Sequence, residues 1–199
     1  PLVAKAEKDN TMKNEDVSME LLRVLVGFDT TSYKSNLGLI EFIQSYLTKY
    51  GIKSTLVHDE SGKKANLYAT IGRTDIGGIM LSGHTDVVPV AGQDWNNDPF
   101  CLIESDDKLY GRGSADMKSF IALVLSRLPD MLSANLSKPI HLAFSYDEEV
   151  GCIGVQRLLD LLEHQPIKPS CCIVGEPTSM EVVIGHKGKS ARRVQVRGH

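Results

Sequence analysis

Four short segments each place an imidazole or a carboxylate where a predicted strand gives way to a loop. One histidine grouped with several carboxylates is typical of a metal site, and this pattern predicts a two-metal hydrolase. Branched apolar runs precede three of the segments, as buried strands of a parallel sheet require. The carboxyl ends of such strands meet in one crevice, so the polar side chains should converge there. The segments are LSGHTDVVP (81–89), GSADMK (113–118), YDEEVG (146–151) and GEPT (175–178).

The first segment combines a histidine with a supporting acid. His84 can offer a neutral imidazole nitrogen to a metal, and Asp86 lies two residues further in the same extended direction. The Asp86 carboxylate can therefore accept the other ring N–H and hold the ring. The alternative is that HTD is only the end of a strand, but the order of the other three segments favours the metal site.

The middle segments supply carboxylates. Asp116 follows a flexible GRGS loop, where a carboxylate can use both oxygens, one for each of two metals. It also stands directly before an apolar helix, so it could instead be an N-cap. Adjacent Glu148 and Glu149 should point in different directions, so that one can coordinate a metal while the other faces the substrate. A solvated acidic turn before the next helix is the alternative for this pair.

Alternating predicted elements position these segments. Apolar residues at helical spacing predict helices, and short branched runs bounded by glycine or polar residues predict strands. We therefore expect an α/β fold, a three-layer α/β/α sandwich with a mostly parallel sheet. The predicted helices cover 17–28, 37–50, 117–133 and 153–163; the strands cover 53–58, 66–71, 78–83, 139–145 and 171–175, and 101–110 forms a hairpin.

Composition limits the partners. The chain has 199 residues, 42% of them hydrophobic, and a formal net charge of −3 without a basic block. These values predict no nucleic-acid or membrane partner and favour a small polar substrate and a cytosolic location. The cysteines form no CxxC pair, and we expect all four to be buried thiols rather than disulfides or zinc ligands.

HTDVVP, GRGSADMK, DEEVGCIG and GEPTSMEVVIGHKG resemble the motifs of the zinc aminoacylase/exopeptidase (M20-type) family over roughly residues 15–199. The resemblance implies two Zn²⁺ ions in the intact site, which Co²⁺ can replace. It implies that Asp116 bridges the two ions and that Glu176 completes the first set with His84. It also implies that Glu149 is a ligand of the second ion and that Glu148 is the general base.

The family also implies a cis peptide bond between Asp116 and Met117. Its chemistry is hydrolysis of an amide bond in an N-acyl amino acid. The GEPTS…HKG segment is most like the acetylornithine deacetylase branch, which implies conversion of N-acetylornithine to ornithine and acetate. A succinyl-diaminopimelate desuccinylase, a metallo-carboxypeptidase or an inactive metal-binding fragment are the alternatives.

The resemblance further implies a domain division. Residues 1–186 correspond to the N-terminal part of the catalytic domain, and 187–199 to the first strand of an inserted lid domain that mediates homodimerisation. Family members take one more histidine ligand from a later part of the catalytic domain. The chain therefore resembles an N-terminal fragment, which we expect to be nearly inactive by itself, and the terminal His199 is not assigned the lid role.

Overall fold

The computed structural model describes residues 17–185, 187–188, 190 and 192–198. A wide helical turn, Ser114–Lys118, comes between the small hairpin β4–β5 and helix α3. In chain order the elements are α1 (17–26), α2 (Leu37–Lys49), β1 (Ser54–His58), β2 (Ala65–Ile71), β3 (Ile79–His84), β4 (Ile103–Ser105), β5 (Lys108–Tyr110), the wide turn, α3 (Ser119–Ser126), α4 (Leu128–Ser133), β6 (Ile140–Ser145), α5 (Val155–Glu163) and β7 (Cys171–Val174).

The main sheet has five strands in the order β1-β2-β6-β3-β7. β3 pairs in parallel with β6 and β7, whereas β1 pairs with β2, and β2 with β6, in antiparallel fashion. The α/β class is confirmed, but the expected parallel arrangement holds only for the half that carries His84. The turn at 59–64 between β1 and β2 is too short for a crossover, which a parallel pair would need.

Helices cover both faces of the sheet. On β6, Leu142 and Phe144 belong to the larger apolar cluster, which also includes residues of α1, α2 and α3. Ala143, between them, points to the opposite face and packs with Leu158 and Leu162 of α5. This alternation is what a strand buried on both faces requires, and it makes the three-layer sandwich.

The helix predicted over 117–133 is divided in the structure. Asp116 and Met117 have non-helical backbone angles, so α3 begins only at Ser119. α3 ends at Ser126, and α4 begins at Leu128 with a proline in its first turn. A proline has no amide hydrogen and its ring clashes with the carbonyl one turn earlier, so one continuous helix cannot form.

β7 differs most from its prediction. All four of its residues are exposed, and in the described part of the chain it pairs only with β3. The expectation that the four cysteines are buried is therefore wrong: Cys171 and Cys172 lie on this exposed edge strand, and Cys101 and Cys152 lie on exposed loops. All four are free thiols, as expected.

Beyond β7 the predicted division into domains stays a prediction. The described residues between 187 and 198 are exposed and take no strand conformation, and His199 lies outside the described residues. Among the described helices, none combines the length and the apolar character needed to cross a membrane.

Candidate metal centre

His84 is the last residue of β3 and lies at the centre of the site. Its side chain is only 2% exposed. Nε2 lies 2.9 Å from Oδ1 of Asp116, and Nδ1 lies 2.9 Å from the backbone carbonyl oxygen of Asp86. The Asp86 carboxylate is further from Nδ1, at 3.5 Å. Asp86 thus holds the ring as expected, but its nearest acceptor is the backbone carbonyl rather than the side chain.

The Asp86 carboxylate holds the neighbouring loop. Oδ1 accepts the Glu148 amide N–H at 3.0 Å, and Oδ2 accepts the Glu149 amide N–H at 3.2 Å. Oδ2 also accepts the Ser32 hydroxyl at 2.8 Å. Burial alone would raise the pKa of Asp86, but His84, the Glu148 amide and Ser32 stabilise the charged form and hold the pKa below its ordinary value. Asp86 therefore orients both His84 and the Glu148–Glu149 backbone.

Asp116 faces His84 from the wide turn. Its backbone angles are φ −121° and ψ 94°, and the Asp116–Met117 peptide bond is cis, as the family resemblance implied. The Asp116 side chain is 49% exposed, and its Oδ1 atom contacts His84 Nε2. The N-cap alternative is not supported, because the residue that caps α3 is Lys118 and no side-chain cap is formed there.

The remaining carboxylates approach the same imidazole. Glu148 Oε2 and Glu176 Oε1 each lie 3.8 Å from His84 Nε2. The described residues form two groups of possible metal ligands, and within each group the ligand atoms lie within 4.8 Å of one another. The first is the predicted set of His84, Asp116 and Glu176, whereas Glu149 groups with His84 and Glu148. The sequence-predicted residues are thus brought together in one crevice, and the division of roles among them stays a prediction.

The charges of the site fit a cation. Burial opposes protonation of His84, but the hydrogen bond and charge of Asp86 and the charges of Glu176 and Asp116 raise its pKa to about 9. Burial and the charge of Asp116 also raise the pKa of Glu149, and burial raises that of Glu176 with help from Asp116 and Glu148. Carboxylates whose charged form is disfavoured by burial and by one another would be stabilised by a divalent ion among them.

The structure also reveals polar residues that the sequence analysis missed. Asn36 donates to Thr85 Oγ1 and to the carbonyl of Ala65, both at 2.9 Å, and so ties the residue after His84 to β2. Lys64 forms an ion pair with Asp147, the acid that directly precedes Glu148. Asp147 is the first of the three acids in the YDEEVG segment, which was a visible signal, whereas a partner 83 residues away cannot be predicted from one sequence.

Comparison with known sequences agrees with this geometry. The sequence profile of peptidase family M20/M25/M40 matches residues 80–197. The acetylornithine deacetylase of Pasteurella multocida (strain Pm70) is 37% identical over 166 residues, which are 83% of this chain and 42% of that protein. The acetylornithine deacetylase of Shigella sonnei (strain Ss046) is 36% identical over 188 residues, 90% of this chain and 48% of that protein. The chain spans about half the length, or less, of these relatives.

Solved structures support the same fold. Human carnosine dipeptidase 1 matches with a TM-score of 0.72 at 21% identity, covering 87% of this chain and 41% of that chain. The M20 family metallo-carboxypeptidase Sso-CP2 from Sulfolobus solfataricus matches with a TM-score of 0.65 at 20% identity, covering 79% and 37%. At this identity the likeness concerns the fold alone. The sequence profile and the relatives above 30% identity decide the family: the chain belongs to peptidase family M20/M25/M40, a family of metal-dependent hydrolases.

Proposed function

We propose that the protein carrying this chain is a zinc-dependent amide hydrolase that removes the acetyl group of N-acetylornithine. The observation that carries the proposal is the convergence on one imidazole: Asp116 lies 2.9 Å from His84 Nε2, and Glu148 and Glu176 each lie 3.8 Å from it. The names of the relatives with 34–42% identity support the choice of substrate.

The donor set favours zinc. His84 offers an imidazole nitrogen, Asp116 and Glu176 offer carboxylates, and no thiolate belongs to either ligand group of the described residues. In this proposal Asp116 would hold both ions and Glu149 would hold the second, and Co²⁺ could replace zinc. When bound, the ions supply polarisation of the acyl oxygen and a lower pKa for the attacking water.

Glu148 is the general base of the proposed reaction. Its carboxylate takes a proton from the attacking water while the water oxygen bonds to the acyl carbon. When the carbon–nitrogen bond breaks, Glu148 returns that proton to the departing amine, so the products are acetate and ornithine. Asp86 holds the Glu148 amide at 3.0 Å, which keeps the base beside His84 during both transfers.

The test is a parallel assay of the full-length, zinc-loaded protein on N-acetylornithine, N-succinyl-diaminopimelate and a set of dipeptides. We expect the highest kcat/KM with N-acetylornithine. A higher value for the succinyl substrate or for a dipeptide would replace the proposed substrate by that class. No turnover of any of the three would favour the metal-binding alternative.

Two further expectations belong to this proposal. By family resemblance the intact protein is a homodimer, and a cytosolic location suits a small polar substrate.

A further inference from the structure

A closed ring of hydrogen bonds surrounds the loop that carries the proposed base. Lys64 Nζ donates both to the carbonyl oxygen of Ser32 and to Asp147 Oδ1. The Ser32 hydroxyl donates to Asp86 Oδ2 at 2.8 Å, and Asp86 Oδ1 accepts the Glu148 amide at 3.0 Å. Asp147 directly precedes Glu148 in the chain, which closes the ring. The loop is therefore held from two sides, by Asp86 on one and by Lys64 on the other.

The Lys64–Asp147 pair is shielded from water. The two side chains are 15% and 11% exposed, and the Lys64 ammonium also lies 5.9 Å from the centre of the Tyr146 ring. Charge pairs that are partly buried are less screened by water and salt than exposed ones. The Arg73–Asp75 pair, just after the other end of β2, is by comparison an exposed ion pair: its side chains are 57% and 66% exposed.

The backbone of Asp147 is a second reason to expect an anchor for the loop. Its φ of 55° lies in the left-handed region, which residues with a side chain adopt uncommonly, aspartate more readily than most because its carboxylate can form nearby hydrogen bonds. Contacts made by the side chain help to hold such a conformation. The Lys64 ammonium supplies that contact through the Asp147 carboxylate, at the residue immediately before the proposed base.

We propose that Lys64 is a positioning residue for the reaction: through Asp147 and Ser32 it fixes the loop so that the Glu148 carboxylate stays beside His84. This inference rests on the proposed function, because it takes Glu148 as the base. The contacts of the Lys64 ammonium are with Ser32, Asp147 and the Tyr146 ring, and none of these three residues belongs to the two ligand groups around His84 that the described residues form. It acts on the reaction only through the loop.

The kinetic test uses the full-length, zinc-loaded protein with Lys64→Met, Asp147→Asn and the double variant. Loss of a supporting partner typically costs about 10–100-fold, and we expect that loss in kcat, with KM and zinc content changed less than about twofold. Because the two residues act as one unit, the double variant should be no slower than the slower single variant. Lys64→Arg keeps the charge and should recover most of the kcat, and Arg73→Met is the matched control, which should leave kcat unchanged.

A second measurement needs no substrate. Hydrogen exchange at the Glu148 and Glu149 amides should be faster in Lys64→Met than in the parent protein, and unchanged in Arg73→Met. If Lys64→Met does not fold, Asp147→Asn tests the same contact in both measurements.

The outcomes separate this inference from the proposed function. If the parent protein hydrolyses none of the acyl substrates while exchange accelerates as expected, the function fails and the anchoring of the loop stands. If the parent is active and Lys64→Met keeps its kcat, the positioning role is overturned, whatever exchange shows. A loss that falls only on zinc content or KM overturns it as well.

Discussion

His84 and Asp86 lie at the buried carboxyl end of β3, whereas Glu176 follows β7, a strand whose four residues are all exposed. The side chains of His84 and Asp86 are 2% and 3% exposed, against 37% for Glu176. On the buried side, the Asp86 carboxylate accepts three hydrogen bonds, from Ser32, Glu148 and Glu149. Glu148 Oε2 and Glu176 Oε1 lie equally far from His84 Nε2, at 3.8 Å, so the two sides differ in their strands and backbone bonds and not in this distance.

The difference shows that the protein's own hydrogen bonds hold one side of the centre more firmly than the other. The buried side keeps His84 and the base loop in place through the protein's own hydrogen bonds. Among the described residues the open side has fewer such bonds, so Glu176 depends more on its contacts with an ion. Substitution of the supporting residue Asp86 on the buried side should therefore damage stability and chemistry, whereas substitution of Glu176 on the open side should mainly damage metal binding.

The largest effect is expected from Glu148→Gln in the full-length protein. The amide keeps the shape of the side chain but cannot accept the proton of water, so kcat should fall by about 10²–10⁴-fold. Zinc content, measured by atomic absorption, should stay as in the parent. Glu176→Gln on the open side is the comparison, and there zinc content itself should fall. Retention of more than about a tenth of the activity by Glu148→Gln would show that another group is the base.

Asp86→Ala should strongly destabilise the protein, because two amides and one hydroxyl lose their acceptor in a buried place. We expect a loss of about 3–5 kcal/mol in the free energy of unfolding of the metal-free protein. Glu176→Ala, on the half-exposed open side, should change it by less than about 1 kcal/mol. Urea unfolding followed by circular dichroism measures both. Equal losses would mean that the two sides are held equally well.

The strand before the base loop, β6, should also contribute more to the free energy of unfolding than β7, the strand before Glu176. Leu142 of β6 is fully buried in the larger cluster, and its truncation to alanine should cost about 2–5 kcal/mol in the 199-residue chain. Ile173 of β7 is 51% exposed, and Ile173→Ala should cost less than about 1 kcal/mol. The two midpoints of urea unfolding give the comparison. A cost for Ile173→Ala as large as that for Leu142→Ala would contradict the exposed position of β7.

A further expected effect is the pH dependence of the zinc affinity of the chain. In the metal-free site the neighbouring carboxylates raise the pKa of His84 to about 9, above an ordinary value of about 6.5. The interaction of protonated His84 with these carboxylates, chiefly Asp86, thus stabilises the metal-free fold fully below about pH 6.5. This stabilisation disappears as the pH rises through 9.

Zinc must displace the His84 proton, so its affinity should fall about tenfold for each pH unit from 9 to 7. Calorimetry in two buffers of different ionisation enthalpy should show about one proton released per ion at pH 7.5. An affinity that does not change between pH 7 and 9 would exclude this linkage.

The comparison also separates what the sequence could predict from what it could not. His84, Glu148 and Glu176 were found because polar residues placed directly after apolar strand patterns are a local signal, and parallel strands bring such ends together. Asp116 was found because it stands between the GRGS loop and an apolar helical pattern. The antiparallel half and the break before α4 had local signals too, in the short turn at 59–64 and in the proline of α4.

Other features depended on contacts between distant residues. The exposure of β7 depends on which elements cover it, so the apolar run CCIV alone predicted a buried strand. The Lys64–Asp147 pair joins residues 83 apart. The use of the Asp86 carboxylate for the Glu148 and Glu149 amides likewise depends on how β3 and β6 are aligned in the sheet.

Calorimetric titration of the metal-free chain with Zn²⁺ tests the central claim, that His84 organises a metal centre, most directly. The set of His84, Asp116 and Glu176 has the usual number of protein ligands for a catalytic zinc, so the chain should bind one ion before any second. His84→Ala should abolish this binding, whereas His164→Ala, which removes an exposed histidine on the C-cap of α5, should leave it unchanged. Binding to His84→Ala as tight as to the parent chain, or two sites of equal affinity, would contradict the account.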